Sequence, residues 1–138
     1  MKLGIEFSRK LSLAYESMCK PLCHELKLPQ TAFDILMFLA NNPEFKTARD
    51  IVEVRKLKAN LVSVNIDKLV NEGYLIRKNV EGDRRKFQLL CTDKAQPIIS
   101  RGQQVEQLFA DIDDATRQII FQGMQQMELN LNLILEDN

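Results

Sequence analysis

The chain has 138 residues, with 19 Lys and Arg, 19 Asp and Glu and one His, so its formal net charge at pH 7 is zero. A hydrophobic share of 45% and a charged share of 28% exclude a disordered or low-complexity chain. The longest apolar run, 35–40, is too short to span a bilayer, and residues 1–10 contain no apolar signal-peptide core. We therefore expect a cytoplasmic protein with no membrane partner, whose three cysteines are reduced thiols.

Two helices are predicted in the first part of the chain. Apolar residues recur at steps of three and four over 3–26, which predicts one long helix, and Pro21 predicts a kink or an interruption near Cys19. The predicted inner stripe of this helix is Leu3, Phe7, Leu11, Ala14, Met18 and Leu22. Residues 31–40 are apolar on nearly all sides, which is typical of a central helix.

Two shorter helices joined by a tight turn are predicted next, and they form a helix-turn-helix candidate. Thr47 is a good N-cap for the third helix. The fourth helix is predicted from about 58 to 72, and Gly73 supplies its left-handed C-terminal position. The residues predicted to face inward on the two helices are Ala48, Ile51, Val52, Ala59, Val62, Ile66, Leu69 and Val70.

The hydrophobic period then changes from 3.6 to 2, which predicts a hairpin with strands at 74–78 and 86–92 and a turn at 81–83. The tip of the hairpin is basic, with Arg77, Lys78, Arg84, Arg85 and Lys86. A fifth helix is predicted from Asp93 to about Ile112, with its first turns bent by Pro97. A sixth helix begins at Asp113 or Asp114, and we expect it to pack with the first helix, in a monomer or across a dimer.

Charge is unevenly distributed along the chain. Residues 46–94 contain 12 Lys and Arg against 7 Asp and Glu, a net charge of +5, so the rest of the chain carries −5. A basic middle between acidic ends indicates one surface for a polyanion. From charge alone, chance clustering of charged residues on solvated faces is the simpler explanation. The sequence motifs are therefore needed to distinguish it from a polyanion-binding surface.

Four motifs lie in this basic segment and around it. They are Thr47-Ala-Arg-Asp-Ile, Leu57-Lys-Ala-Asn-Leu-Val-Ser with Asp67-Lys-Leu-Val-Asn-Glu-Gly-Tyr-Leu, the wing Gly82-Asp-Arg-Arg-Lys, and Cys91-Thr-Asp-Lys. Helix, helix and a hairpin with a basic tip, in this order, form a winged helix-turn-helix arrangement. On these residues the sequence resembles the MarR family of bacterial transcription regulators, over about Leu11 to Phe109.

The resemblance implies a mainly α fold with a small β-hairpin, as one domain over 1–138. Residues 30–92 would form the winged helix-turn-helix lobe, and 3–27 and 93–138 the dimerisation helices. The function implied is a homodimeric, sequence-specific regulator of transcription, a repressor modulated by a small aromatic or lipophilic effector. Its partner would be double-stranded DNA with a pseudo-palindromic operator.

The resemblance also assigns roles to individual residues. Those expected to contact DNA are Lys58, Asn60, Leu61, Ser63, Val64, Lys68, Arg84, Arg85 and Lys86, and those expected to contact phosphates are Lys46, Arg49, Arg77, Lys78 and Lys86. Asp83 is expected to hold the hairpin by pairing with an arginine. Leu61 and Val64 depart from the family, which usually has a hydroxyl residue near 61 and often a basic one at 64. They favour A·T-rich sites or indicate a weak groove contact.

Two other functions stay open at this stage. The outer apolar residues also suit a winged-helix module that binds protein instead of DNA. Cys19 and Cys23, four residues apart, suit a regulator that responds to thiol chemistry or to a soft metal, although buried structural thiols are commoner. No cofactor or resident metal site is predicted. An enzyme is not expected, because the only His, at 24, has no nucleophile at an interpretable spacing.

Overall fold

The structure, a computed structural model, describes residues 4–103 and 106–136, with the main chain alone at 84, 106 and 107. Within these ranges there are six α-helices and one two-stranded antiparallel sheet. The helices are α1 (Ile5–Leu26), α2 (Gln30–Asn41), α3 (Ala48–Arg55), α4 (Ala59–Asn71), α5 (Gln96–Gly102) and α6 (Asp114–Glu136), and the strands are β1 (Leu75–Val80) and β2 (Asp83–Cys91). The chain divides into two compact units, Met1–Gln103 and Gln104–Asn138.

The core of the first unit is built around α2, as its all-round apolar sequence predicts. Most of this helix is buried, and it contacts α1, α4, α5 and β2. Its buried residues are Ala32, Phe33, Ile35, Leu36, Met37, Phe38 and Leu39. Because full burial of one large apolar side chain stabilises a fold by about 1.5–3 kcal/mol, this helix supplies the framework for the other elements.

The long first helix is not interrupted at its proline. α1 continues through Pro21 to Leu26, so the predicted interruption near Cys19 is wrong. The residues around the proline explain why, because Cys19, Leu22 and Cys23 are buried in the core and hold the last turns in place. Tertiary packing here offsets the lost main-chain hydrogen bond of the proline.

The inner stripe predicted for α1 is buried in its C-terminal part alone. Phe7, Leu11 and Met18 are exposed, with Phe7 60% exposed, whereas Leu22 is buried. Leu3 lies outside the described residues. The apolar period correctly predicts a helix, but it does not tell whether the stripe is covered within one chain.

The inner faces of α3 and α4 are shorter than predicted. Ala48 and Ala59 are exposed, because each is the first residue of its helix and lies beyond the part that contacts the core. Ile51 is buried on α3 and Val52 is half-buried. On α4 the buried residues are Val62, Asn65, Ile66 and Leu69.

α4 ends as its glycine predicts. Gly73 has φ +82 and its N–H donates to the carbonyl of Val70, while the N–H of Tyr74 donates to the carbonyl of Leu69. These two bonds form the Schellman motif, in which glycine takes the left-handed position without steric cost. The motif leads the chain directly from α4 into β1.

The predicted fifth helix is broken up in the structure. A 3₁₀ turn at Asp93–Ala95 precedes α5, where Pro97 occupies the first turn and costs no helical hydrogen bond. α5 ends at Gly102, well before Ile112. Gly102 is a weak helix former and adds no side chain to a buried face. Farther along, Asp111 has φ +63, which a continuous helix cannot contain.

The second unit consists of a 3₁₀ turn at Glu106–Phe109 and of α6. Asp113 begins α6, because its carboxylate accepts a hydrogen bond of 2.7 Å from the N–H of Thr116. The guanidinium of Arg117 donates to the carbonyls of Phe109 and Ile112, at 3.0 and 2.9 Å. No described residue of α6 is buried, although the helix is rich in Leu, Ile and Met.

The turn between α3 and α4 generates a stability prediction. Lys56 has φ +55 and ψ +42, a left-handed conformation that costs about 1–2 kcal/mol for a residue with a Cβ. Glycine avoids this cost but loses about 0.5–1 kcal/mol more conformational entropy on folding. We therefore expect Lys56→Gly to raise the free energy of unfolding by about 0.5–1 kcal/mol, measured by urea unfolding at one protein concentration.

Lys56→Ala is the matched control, because it removes the same charge and keeps the Cβ at positive φ. We expect the alanine variant to be no more stable than the unaltered chain. Equal stability of the alanine and glycine variants would show that the backbone of this turn is not strained.

Candidate nucleic-acid interface

The N-terminus of α3 is held by a capping box. The hydroxyl of Thr47 accepts a hydrogen bond of 3.1 Å from the N–H of Asp50, and the carboxylate of Asp50 accepts one of 3.1 Å from the N–H of Thr47. The same carboxylate accepts a bond of 3.0 Å from the N–H of Lys46. Partial burial acts to raise the pKa of Asp50, but these bonds outweigh it and hold the pKa below its ordinary value.

The face of α4 opposite the core is exposed. At 100° per residue, the burial of Val62, Ile66 and Leu69 turns the other side of the helix to solvent. Val64 is 66% exposed and Leu61 is 42% exposed. The other exposed residues of the predicted contact surface on α4 and at its N-cap are Lys58, Asn60 and Ser63, whereas Lys68 is half-buried. Asp67 and Asn71 are also exposed on this face.

The N-terminus of α4 lacks a side-chain cap from its N-cap residue. Lys58 takes the N-cap position with an extended backbone and makes no capping hydrogen bond. Asn60 compensates in part, because its side-chain oxygen accepts a hydrogen bond of 2.9 Å from the N–H of Leu61. One of the N–H groups that every helix start leaves unpaired is therefore satisfied locally.

A buried asparagine lies on the inner side of α4, where the apolar pattern gave no signal for it. Asn65 is 5% exposed, and its side-chain amide donates a hydrogen bond of 2.8 Å to the carbonyl of Leu61. A buried amide is tolerated when it is hydrogen-bonded. Its donor goes to its own helix, so Asn65 is part of the framework of α4 and not of the exposed surface.

The basic tip of the hairpin is a bulge in β2. The strands turn at Glu81 and Gly82, where Gly82 has φ +84, and Val80 then pairs with Asp83. The preceding residue Asn79 pairs with Phe87, four residues farther along. Residues 84–86 therefore have no partner position on β1 and bulge out of the ladder. We call residues 83–86 the wing tip.

Asp83 holds the wing tip through the main chain. Its carboxylate accepts a hydrogen bond of 2.9 Å from the N–H of Arg85. The sequence predicted a pair with an arginine side chain; among the described groups, the partner of this carboxylate is the main-chain N–H of Arg85. An Asp side chain that binds the N–H two residues ahead is common in turns, since it replaces a main-chain bond. The side chain of Arg84, a predicted DNA contact, lies outside the described residues.

One ion pair joins the hairpin to α4, and a lysine just beyond the hairpin binds the end of the same helix. The guanidinium of Arg77 on β1 binds the carboxylate of Asp67, and so neutralises an acidic group on the exposed face of α4. Lys94 lies just beyond β2, donates a hydrogen bond of 2.6 Å to the carbonyl of Glu72 and lies 4.8 Å from the centre of the Tyr74 ring. A cation at the C-terminus of a helix is favourable, so this lysine supports the end of α4.

The cations predicted to contact DNA, including those predicted to contact its phosphates, separate into two groups. Three predicted cations are in ion pairs: Arg49 with Glu53, Lys68 with Glu72 and Arg77 with Asp67. Those that have no ion pair among the described residues are Lys46, Lys58, Lys78, Arg85 and Lys86. Arg77 therefore has a structural partner that the sequence did not indicate, whereas the wing tip and the start of α4 present free cations.

Cys19 and Cys23 lie one turn apart on the buried face of α1, as predicted. The thiol of Cys23 donates a weak hydrogen bond of 3.8 Å to the side-chain oxygen of Gln30. Burial raises the pKa of both thiols, that of Cys23 to about 11. A protonated thiol is a weak nucleophile and a weak metal ligand, so these surroundings do not favour a reactive sensor.

A polar cluster next to these thiols connects α1 with α2. The hydroxyl of Tyr15 and the side-chain amide of Gln30 both donate to one oxygen of Asp34, each at 2.8 Å. Burial is the main cause that raises the pKa of Tyr15, and its bond to Asp34 adds to this effect. His24 is exposed. The described residues contain no group of three or more His, Cys, Asp or Glu that could hold a metal ion.

A cavity of about 330 Å³ lies between the end of α2, the segment before α3, β2 and α5. Its apolar lining includes Leu39, Phe45, Leu89 and Ile99, and its polar lining includes Lys46, Gln96, Ser100 and Gln103. Two of the lining residues are joined by a main-chain hydrogen bond of 2.7 Å, from the N–H of Leu89 to the carbonyl of Lys46. This bond joins the hairpin to the segment that leads into α3. Separately, no helix in the described ranges is long and apolar enough to cross a membrane.

Comparison of the sequence with known families gives one match in this region. The family model described as MarR family matches residues 26–86, which include α2, α3, α4, β1 and the wing tip. No curated protein matches the chain.

Solved structures with the same fold are numerous at low sequence identity. A protein of Listeria monocytogenes, assigned to the MarR family of transcriptional regulators and complexed with 26mer DNA, has a TM-score of 0.77 and 18% identity, and covers 95% of this chain and 90% of its own. A MarR transcriptional regulator from Methanosarcina mazei Go1 has a TM-score of 0.72 and 22% identity, with 95% and 93% covered. A mutant of MepR from an S. aureus clinical isolate has a TM-score of 0.80 and 13% identity, with 95% and 99% covered.

The capping box of α3 generates a pH-dependent prediction. Because the pKa of Asp50 is lower in the folded chain than the ordinary 3.8, its contribution is complete above that value and is lost as the pH falls through the folded value. Asp50→Asn should therefore destabilise the chain near neutral pH, by about 1 kcal/mol as for other lost caps, and by less below pH 3.8. Urea unfolding at a series of pH values measures this difference.

Glu53→Gln is the control, because it removes an exposed carboxylate from the same helix outside the capping box. We expect this variant to change stability by about 0.5 kcal/mol or less. A penalty for Asp50→Asn that is the same at acidic and neutral pH would contradict the assigned role of the carboxylate.

Proposed function

We propose that the chain, which matches the MarR family model over residues 26–86, is a transcription regulator that binds double-stranded DNA through α4 and the wing tip. The family is one of transcription regulators and not of enzymes. The observation that carries the proposal is the exposed face of α4 together with a hairpin that carries a basic bulge and is joined to α4 by the ion pair of Arg77 with Asp67. A single α-helix fits the major groove, and a neighbouring hairpin can reach the adjacent minor groove.

The free cations support this mode of binding. Lys58 at the start of α4 and Arg85 and Lys86 in the wing tip can each contact a phosphate or a groove edge. The narrow minor groove of A·T-rich DNA has the most negative potential, which suits an arginine from a protruding hairpin. The related Listeria protein was solved with 26mer DNA, which agrees with this assignment. Counterion release makes such binding steeply dependent on salt.

We propose further that the active form is a homodimer and that it binds a pseudo-palindromic operator. α6 exposes large apolar residues on several sides, and a long helix of this kind is expected to bury them against another surface. A second copy of the chain is the occupant we propose, since two copies also place two α4 helices in successive major grooves, about 34 Å apart.

The cavity is the place we propose for an effector that modulates DNA binding, in the manner of a repressor released by its ligand. Its volume and apolar lining suit a small aromatic or lipophilic molecule, and Lys46 at its wall suits an acidic group on that molecule. The bond between Leu89 and Lys46 links this wall to the hairpin.

Removal of one wing-tip cation tests the DNA surface. We expect Arg85→Ala to weaken binding by about tenfold or more, with a smaller salt dependence, because a groove contact of an arginine is worth about 1–3 kcal/mol. The probe is a duplex chosen by the protein from a pool with roughly 20 randomised base pairs, which holds two half-sites. Fluorescence anisotropy over a range of salt concentrations measures the affinity.

Arg101→Ala is the matched control, because Arg101 is an exposed arginine of α5 that pairs with Glu25. We expect it to change the affinity by less than about twofold. The DNA role of the wing tip is wrong if both variants bind as the unaltered chain does.

The dimer is tested by a charge on α6. The chain has a mass of 15.9 kDa, and sedimentation equilibrium should give twice this value. Leu131→Asp, on the side of α6 that also carries Met124 and Met127, should shift the chain toward the monomer because a buried carboxylate without a partner is costly. Gln122→Asp, on the opposite side of the helix, is the control and should leave the dimer intact. A monomer for the unaltered chain would contradict the dimer.

A further inference from the structure

The exposed face of α4 has an unusual chemistry for a helix that enters the major groove. Residues 59–71 contain no arginine and one lysine, Lys68, which is half-buried and pairs with Glu72. The acidic group of Asp67 is neutralised by Arg77. The N-terminal half of this helix exposes two apolar side chains, Leu61 and Val64, the hydroxyl of Ser63, and Asn60, whose side-chain oxygen also accepts the bond from the N–H of Leu61.

Leu61 and Val64 are neighbours on the surface. They are three residues apart, so they lie side by side on one face of the helix, and they are 42% and 66% exposed. The core does not need them, because α4 is anchored by Val62, Ile66 and Leu69 on its other side. Their exposure in the free chain leaves apolar surface that any binding partner would cover.

The major groove offers one apolar group, the C5 methyl of thymine. Guanine is read most often by a bidentate Arg or Lys, and the exposed face of α4 has no such group to offer. An asparagine such as Asn60 suits the edge of adenine. Leu61, Val64 and Asn60 therefore each match an A·T pair, and none of these three matches the acceptors of guanine.

We infer that α4 selects an A·T-rich half-site in which the C5 methyl groups of thymines pack against Leu61 and Val64. This inference rests on the proposed binding of DNA by α4. A duplex fits the patch better than a protein partner does, because Lys58 lies at the start of the same helix and the hairpin that is joined to α4 through Arg77 and Asp67 carries a cationic wing tip. Apolar contacts select the base pair, and the cations hold the backbone.

The test removes thymine methyl groups without changing the base pairing. The duplex is the one selected by the protein from the randomised pool, and each thymine is replaced in turn by uracil. We expect loss of a contacted methyl to weaken binding by about fourfold, the factor that burial of one such group is worth. Thymines away from α4 should tolerate the replacement.

The variant arm assigns the effect to the two side chains. Leu61→Ala combined with Val64→Ala should bind the thymine duplex more weakly and should no longer distinguish it from the uracil duplex. Val54→Ala on α3 is the matched control, because Val54 is a comparably exposed valine, and it should keep the full preference for thymine. Thermal unfolding checks that each variant is folded. The uracil experiment uses the unaltered chain and so does not depend on the folding of a variant.

An inosine arm separates α4 from the wing tip. Replacement of A·T by I·C pairs keeps the minor-groove pattern and removes the thymine methyl from the major groove. We expect I·C pairs under α4 to weaken binding, and I·C pairs under the wing tip to leave it within about twofold.

Three results would overturn the inference. They are a selected duplex rich in G·C under α4, uracil duplexes that bind as well as thymine duplexes, and a double alanine variant that keeps the preference for thymine. Absence of binding to every duplex in the pool would instead reject the proposed function itself. Capture of a protein partner that depends on Leu61, without such binding, would assign the patch to a protein interface.

Discussion

The burial of one face of α4 determines which of its residues can reach a ligand. Val62, Ile66 and Leu69 are buried, and each contributes about 1.5–3 kcal/mol to stability. This is more than an exposed ion pair supplies, which is about 0.2–1 kcal/mol. Because the helix cannot rotate without exposing these residues, Leu61 and Val64 must face outward. The exposed apolar pair is therefore a consequence of core packing, and it fixes the chemistry of the helix face that we propose binds DNA.

The wing tip depends on the same helix. The Schellman motif at the end of α4 starts β1 in a fixed direction, and the pair between Arg77 and Asp67 adds a second connection. This pair is partly exposed and contributes little to stability, so its main effect is to orient the hairpin and to neutralise a carboxylate that would repel phosphate. Asp83 then orders the bulge through the N–H of Arg85. Helix and wing tip form one surface because both are attached to the core through α4.

Local signals in the sequence predicted most of this surface, and tertiary contacts explain the rest. The helices and the hairpin could be predicted from the caps at Thr47 and Gly73 and from the change of hydrophobic period after Gly73. These signals act over a few residues and so do not depend on tertiary contacts. The bulge at 84–86 was missed, because register depends on the pairing of both strands. The burial of Asn65 was not predicted, because a polar residue is expected to face solvent. Its side-chain amide is buried because it donates a hydrogen bond to a carbonyl of its own helix. The fifth helix was overestimated because the apolar period continued across Gly102.

The most direct test of the account follows the main-chain amides of the chain by NMR while a selected duplex is added. If α4 and the wing tip bind as one surface, the amides of 58–64 and of 83–86 should shift together and saturate at the same ratio of DNA to protein. The amides around Cys19 and Cys23 should shift little, since these residues are buried on α1. Shifts confined to α4 or to the hairpin alone, or two groups that saturate at different ratios, would contradict the account.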